Sequence, residues 1–267
     1  MKISYIFDEG SSKEDTYLIG KNVFGVFDGA NSVKRFFDKS GRSDGLIAAE
    51  IARDEFSKNN KTLKEHALAA NKNILMSMKM ESMDVSDKLN LWSTTAAVVR
   101  IKQKTFEWLQ VSDSLILVIY KNGKFKLMVD DYNHDKKAMA VWKKLAMKKT
   151  KNIKNIIWEK TPHTRLRANK TFGLLTGEKE FVKFIHSGTE SLENVKHIII
   201  FTDGLLIPKK DPSEPDDFDT FVKLYLGGGL KKVLKHVRDL ERNDPECWKY
   251  PRYKQYDDVA AISIDFS

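Results

Sequence analysis

An α+β fold built on antiparallel strands is what the sequence predicts, on three observations. Apolar and β-branched runs of strand length recur along the 267 residues, two of them flank the short turn Asn122-Gly123, and the helical periodicities come in groups that do not alternate one for one with the strands. The predicted strands are 22–27 (NVFGVF), 94–101 (TTAAVVRI), 106–111 (FEWLQV), 115–120 (LILVIY), 124–129 (KFKLMV), 197–202 (HIIIFT) and 259–266 (VAAISIDF). Asn122 and Gly123 tolerate positive φ at both turn positions, so 115–129 reads as a hairpin.

The first helix is predicted at 44–58, where Leu46, Ala49, Ala52 and Phe56 recur at helical spacing. The second, 62–80, carries Leu63, Ala67, Ala70, Ile74 and Met78 on one face and opens on Thr62 and Glu65, the spacing of a capping box. Later helices are predicted at 135–149, at 177–188 and at 228–242, with Gly227, Gly228 and Gly229 marking the break before the last. Segment 209–219 (KKDPSEPDDFD) reads as loop.

Hydrophobic residues at 41% and charged residues at 31% describe a globular protein, and no apolar run nears the ~20 residues of a membrane helix. The N-terminal MKISYIFDEG is too short in its apolar part and too acidic for a secretory signal, so a cytoplasmic location is expected. A single Cys247 permits no internal disulfide, and six scattered histidines offer no zinc spacing. Any metal would be held by oxygen. Lys and Arg outnumber Asp and Glu 46 to 37, and Lys136–Lys170 alone holds twelve basic residues against one acid, Glu159. Such a stretch attracts phosphate; the plain reading is a solvated lysine-rich face, and a nucleic-acid site there ranks last among the functional readings.

The carboxylates at strand ends carry the chemistry. Glu14 and Asp15 stand before one apolar segment, Asp28 follows the run VFGVF directly, Asp113 precedes the hairpin, Asp203 follows HIIIFT, and Asp257 and Asp258 precede the last strand. One such residue is an ordinary turn or cap. Several brought together would repel unless a cation neutralised them, and carboxylate and carbonyl oxygens suit Mg2+ or Mn2+. Gly29 would leave its own carbonyl free for a metal.

In that order the motifs resemble those of the metal-dependent protein serine/threonine phosphatases of type 2C. KEDTYLI (13–19) is similar to the family's Asn-Glu-Asp segment, FGVFDGA (24–30) to its strand ending in Asp-Gly, and STTAAVV (93–99) to its Gly-Thr-Thr strand. VSDSLILVIYKNGK (111–124) is similar to its Val-Gly-Asp-Ser hairpin, FGLLTGE (172–178) to the segment after its flap, IIIFTDGLL (198–206) to its Asp-Gly strand, and YDDVAAISI (256–264) to its closing strand.

The resemblance implies an α-β-β-α architecture, two antiparallel β-sheets sandwiched between pairs of helices, in a single domain over 1–267. It implies two Mg2+ or Mn2+ ions, with a possible third, in the cleft where the sheets meet. Asp28 would bridge both ions and Gly29 lend its carbonyl; Asp203 and Asp257 would complete one ion, Glu14 the other, and Asp113 an accessory ion, with Asp15 in the surrounding shell. Catalysis would run through Asp28, Asp203 and Asp257 by way of an activated water, releasing phosphate from phosphoserine or phosphothreonine of a protein substrate. Cys247 is then a bystander, and Ser112 and Ser114 are hairpin residues.

Two positions depart from the family's pattern. The phosphate-clamping Arg four residues before the motif Glu is Gly10 here, leaving Lys13, Arg35 or Arg42 as candidates for the substrate phosphate. The residue after Asp-Gly, often His or Met, is Ala30, which supplies no general acid. These departures motivate a second reading, a pseudophosphatase that binds phosphoproteins without turning them over.

Overall fold

The computed structural model describes residues 1–130, 132–160 and 164–266, with the side chains of 158–160 excepted, so Glu159 and Lys160 of the basic stretch lie outside the described side chains. In chain order the strands are β1 (Lys2–Asp8), β2 (Thr16–Ile19), β3 (Val23–Phe27), β4 (Gly29–Ala30), β5 (Ser93–Thr94), β6 (Ala96–Ile101), β7 (Thr105–Val111), β8 (Leu115–Tyr120), β9 (Phe125–Leu127), β10 (His186–Ser191), β11 (Val195–Phe201) and β12 (Val259–Asp265). The helices are α1 (Asp44–Ser57), α2 (Leu63–Met80), α3 (Lys136–Ala146), α4 (Ile153–Lys160) and α5 (Phe218–Arg242). Among the described residues the long strands form two five-stranded sheets, ordered β1-β12-β11-β8-β9 and β10-β7-β6-β3-β2, and β4 pairs with β5. Every paired register is antiparallel.

The central strands β3, β6, β8, β11 and β12 are buried almost throughout because both of their faces are covered. Along β3, Phe24 and Val26 point between the sheets, where they meet Val99, Ile116, Val118, Ile198, Ile200 and Ile262. Val23 and Phe27 point the other way, into a layer formed with Ala49, Ala52 and Phe56 of α1 and Ala67, Ala70 and Ile74 of α2. On the far side Ile199 and Phe201 of β11 pack with Leu117 of β8 and Phe221, Val222 and Val233 of α5. Three apolar layers result, α-β-β-α, each buried aliphatic or aromatic side chain contributing about 1.5–3 kcal/mol. The described helices include none long and apolar enough to cross a membrane.

Local chemistry sets the element ends. Thr62 and Glu65 form the expected capping box at α2. The β8–β9 hairpin closes with the Tyr120 N–H donating to the Lys124 carbonyl at 2.8 Å, but only Gly123 takes a positive φ, +83°. Asn122 instead accepts the Lys124 N–H on its side chain at 3.0 Å. α5 is broken as expected, with Gly229 at φ +68°, yet its first half begins at Phe218 behind the Asp217 cap, inside the stretch read as loop.

Segment 177–188 corrects the sequence reading. Its Phe181 and Ile185 have helical spacing, but only a 3₁₀ turn forms, Lys179–Phe184, and His186–Ser191 is strand β10 on the edge beside β7. Phe181 and Ile185 reach the α1–α2 layer from the turn itself, and a Cβ on Gly188 would lie 2.9 Å from Trp108 Nε1, so glycine lets the indole cover the strand.

The basic stretch becomes α3, α4 and a 3₁₀ turn, Thr164–Arg167, laid over one end of the sandwich. Trp142, Ala146, Ile153 and Ile157 pack on Cys247, whose carbonyl accepts the Trp142 indole N–H at 2.8 Å. The Trp248 indole donates back to the Thr150 carbonyl at 2.9 Å.

Candidate active site

Strand register gathers the acidic residues. Phe201 lies opposite both Leu115 and Ala261, so Asp203, Asp113 and the Asp257–Asp258 pair leave the first sheet at the same end. Thr16 lies opposite Phe27 in the other sheet, which puts Glu14 beside Asp28. The two ends face one cavity, lined by Glu14, Asp28, Gly29, Asp113, Asp203 and Asp257. With Asp135, which no motif pointed to and which lines the same cavity, six segments distant in sequence supply carboxylates to one place.

Close backbone approaches hold those segments. A Cβ on Gly29 would overlap the Gly45 carbonyl at the start of α1 and lie 2.6 Å from the Glu14 carbonyl oxygen. A Cβ on Gly204 would overlap the Asp258 carbonyl oxygen. Glycine after each aspartate is therefore a packing requirement. The paired threonines act on Asp28: Thr94 Oγ1 and the Thr95 N–H both donate to its carbonyl at 2.9 Å, and Thr95 Oγ1 accepts its N–H at 3.3 Å while sharing a 2.5 Å hydrogen bond with Ser114. That bond ties the Asp28 strand end to the turn of Asp113. Ser112 in that turn sits at φ +68°, a region that costs a non-glycine residue about 1 kcal/mol or more.

Asp258 is not among the residues lining the cavity and accepts the N–H groups of Ser12 (3.2 Å) and Glu14 (2.7 Å), fixing the loop before β2. The Glu14 carboxylate accepts from Ser43 Oγ at 3.2 Å and from the Asn31 amide. Arg238 of α5 donates to the Asp257 carbonyl at 2.6 Å and pairs with Asp8 and Glu241.

Burial pushes Glu14, Asp15, Asp28, Asp113 and Asp203 up. Glu14 is raised to about 7 by desolvation, with Lys254 and Ser43 opposing. Asp28 and Asp203 are held well above the ordinary range, first by burial and then by neighbouring carboxylates: Asp15 acts on Asp28, and Asp28 with Asp257 on Asp203. Asp113 rises to about 6 through burial and the charge of Asp135. Asp15, 4% exposed, is raised chiefly by burial, and its Oδ2 has no hydrogen-bond partner.

Cations line the same cavity: Arg35, Lys154, Arg165 and Lys254. Of the three phosphate candidates, Arg35 is the one found there. Lys13 is exposed and paired with Glu9 at 3.3 Å, and Arg42 is held by Asp38 and Glu50 at 2.8 Å each; neither lines the cavity. Gly10 lies in a separate recess with Asp8, Arg238 and Tyr256, and a Cβ there would stand 2.5 Å from the Asp257 carbonyl. An arginine does not fit at that place. Arg165 donates to the Asn31 carbonyl at 2.6 Å and also to the Ala30 carbonyl and Ser93 Oγ, pinning the 3₁₀ turn to the Asp-Gly strand. Lys254 Nζ donates to Asp257 Oδ1 at 2.6 Å. Burial disfavours its charge, but Asp257, Asp28 and Asp203 outweigh that and raise its pKa. No motif pointed to Lys154, Arg165 or Lys254; the local density of lysine around them carries no signal of which ones turn inward.

Among the described residues no three carboxylate, histidine or cysteine side chains are drawn tightly enough to hold an ion as they stand. The donor chemistry nevertheless fits a hard divalent cation: the acidic lining offers oxygen donors, a buried carboxylate oxygen lacks a partner, and the raised acids are ones a nearby cation would return to their charged form.

The sequence profile of the Protein phosphatase 2C family matches residues 8–236. No curated protein matches the sequence. Among solved structures, the serine/threonine phosphatase Stp1 from Staphylococcus aureus aligns with a TM-score of 0.61 at 13% identity, over 100% of this chain and 95% of that one. The serine/threonine phosphatase PstP/Ppp from Mycobacterium tuberculosis aligns at 0.59 with 15% identity, over 99% and 97%. The catalytic domain of PstP in complex with two manganese ions aligns at 0.60 with 13% identity, over 99% and 97%. At such identities the likeness is one of fold, and the expected α-β-β-α sandwich is the observed one. With the profile covering most of its length as well, the chain belongs to the protein phosphatase 2C family.

Proposed function

We propose that the protein hydrolyses phosphoserine and phosphothreonine in protein substrates, using divalent Mg2+ or Mn2+. The observation that carries this reading is the convergence of Glu14, Asp28, Asp113, Asp203 and Asp257 on one cavity from five parts of the chain. Asp28, Asp203, Asp257, Glu14 and the Gly29 carbonyl would hold two ions, and Asp113 an accessory one. Bound there, divalent cations supply Lewis-acid chemistry, neutralising phosphoryl charge and acidifying water. The manganese ions of the PstP complex support that assignment by analogy of fold.

The remaining roles fall to the chain's own groups. Arg35 and Lys154 at the cavity wall attract the dianionic phosphate, in place of an arginine that Gly10 cannot provide. Ala30 carries no proton, so the leaving serine or threonine alkoxide oxygen takes one from solvent, and a rate lower by about 10²–10⁴-fold than with a positioned acid follows. The part of the basic stretch that turns inward, Lys154 and Arg165, serves this cavity and favours a phosphoprotein over nucleic acid as ligand.

Release of phosphate from a phosphothreonine peptide should require Mn2+, stop with excess chelator and return when Mn2+ is restored. One observation favours the second reading, a phosphoprotein-binding pseudophosphatase: the Lys254 ammonium already sits on Asp257. Peptide binding without phosphate release at millimolar Mn2+ would select that reading.

A further inference from the structure

The loop that carries Lys254 is built with more care than a surface lysine requires. Asp244, 6% exposed, accepts the N–H groups of Trp248 and Lys249 at 3.0 Å and of Tyr250 at 2.9 Å, and it pairs with Arg252 at 2.8 Å. Arg252 in turn donates to the carbonyls of Glu241, Asp244, Tyr250 and Gln255, closing the loop on both sides of Lys254. Cys247 packs beneath it against α3 and α4. The outcome is a side chain 25% exposed whose ammonium reaches Asp257 and whose charge acts on Asp28 and Asp203. These are three of the residues assigned above to the metals.

A lone ammonium and a divalent ion cannot share the Asp257 carboxylate without repulsion. An ordinary surface ion pair three residues apart would not line the cavity or be delivered by a buried aspartate–arginine knot. We propose that Lys254, lining the same cavity, is the resident cation of the carboxylate cluster and competes with divalent metal for Asp257. Metal loading then requires the ammonium to move aside, and affinity for metal is set by this lysine as much as by the carboxylates. The inference rests on the reading that the cluster takes divalent ions.

Calorimetric titration of MnCl2 into the full, chelator-stripped chain tests it, with Lys254→Met and Lys254→Arg beside the unmodified protein and a melting curve to confirm folding of each. Lys254→Met is expected to bind Mn2+ about tenfold more tightly or better, about 1.4 kcal/mol, while Lys254→Arg, which keeps the charge, stays within about threefold of the unmodified chain. Equal affinity in Lys254→Met and the unmodified chain overturns the lysine's role and leaves the phosphatase reading standing. So does Lys254→Arg binding as tightly as Lys254→Met, because charge would then not be the cause. Folded protein of all three kinds that takes up no Mn2+ overturns the metal reading itself, and the inference falls with it.

Discussion

Asp203→Asn should lower kcat/KM for phosphopeptide hydrolysis by about 10³-fold while raising the melting temperature of the metal-free protein. The carboxamide keeps the size of the side chain and its place after β11, so the sandwich is undisturbed. What it removes is a charge that burial and then Asp28, Asp257 and Asp113 all oppose. The sign of the stability effect follows from linkage. A carboxyl whose pKa is raised in the folded state binds its proton more tightly there than in the unfolded chain. Folding stability therefore falls as pH rises from the ordinary aspartate value through the raised one. Removing the carboxyl cancels that loss, so the gain, about 0.5–2 kcal/mol, is larger at pH 8 than at pH 5. Glu14, raised to about 7, adds a decline of the same sign between its ordinary value of 4.5 and about 7 in the metal-free protein. Scanning calorimetry in chelator at the two pH values, beside phosphate release in Mn2+, checks both halves. Full turnover in the variant sinks the role given to Asp203; loss of turnover together with loss of stability at pH 8 makes the residue structural.

How far the sequence reached is clearest at particular residues. A run such as HIIIFT is legible because β11 is buried on both faces, and the Asp-Gly that follows, ordinary on its own, is legible because the same junction stands at Asp28-Gly29 in a fixed order with the other acidic motifs. The order of those junctions was readable, and with it the fold, since antiparallel register does the rest of the gathering. Strand β10 was not, because HSGTES is polar and sits at a sheet edge, where pairing with β7 and cover from Trp108 decide the conformation. The cationic half of the cavity was hidden for a related reason. Lys154, Arg165 and Lys254 lie among many lysines and arginines, and only the packing of α3, α4 and the Asp244 loop, with the bonds that hold the 3₁₀ turn to Asn31, selects which point inward. Gly10 was legible as a missing arginine but not as a position closed by the Asp257 backbone.

Gly204→Ala should cost about 2–3 kcal/mol of folding stability and, in what still folds, about 10²-fold or more in kcat/KM. Its new Cβ would overlap the Asp258 carbonyl oxygen and stand 3.2 Å from the Asp257 Cβ. Neither neighbour can rotate away as a flexible side chain would. The Asp258 carbonyl belongs to the backbone just before β12, and the adjoining register is clamped by Ala260 donating to Thr202 Oγ1 at 3.0 Å and Thr202 donating its N–H to the Ala260 carbonyl at 3.0 Å. Relief must come by moving residues 257 and 258 outward. Asp258 holds the Ser12 and Glu14 N–H groups, so the shift carries to Glu14 on the opposite sheet as well as to Asp257. One methyl group thereby misplaces acids on both sides of the cavity, which is why activity should fall further than stability alone explains. Gly123→Ala provides the contrast: its φ of +83° makes alanine strained there, by about 1–2 kcal/mol, but nothing stands within 4 Å of the added Cβ and the turn is remote from the cavity. The denaturant midpoint should fall in both variants, further in Gly204→Ala, with kcat/KM preserved in Gly123→Ala; preserved activity in Gly204→Ala would show that the Asp203 and Asp257 segments do not depend on this contact for their alignment.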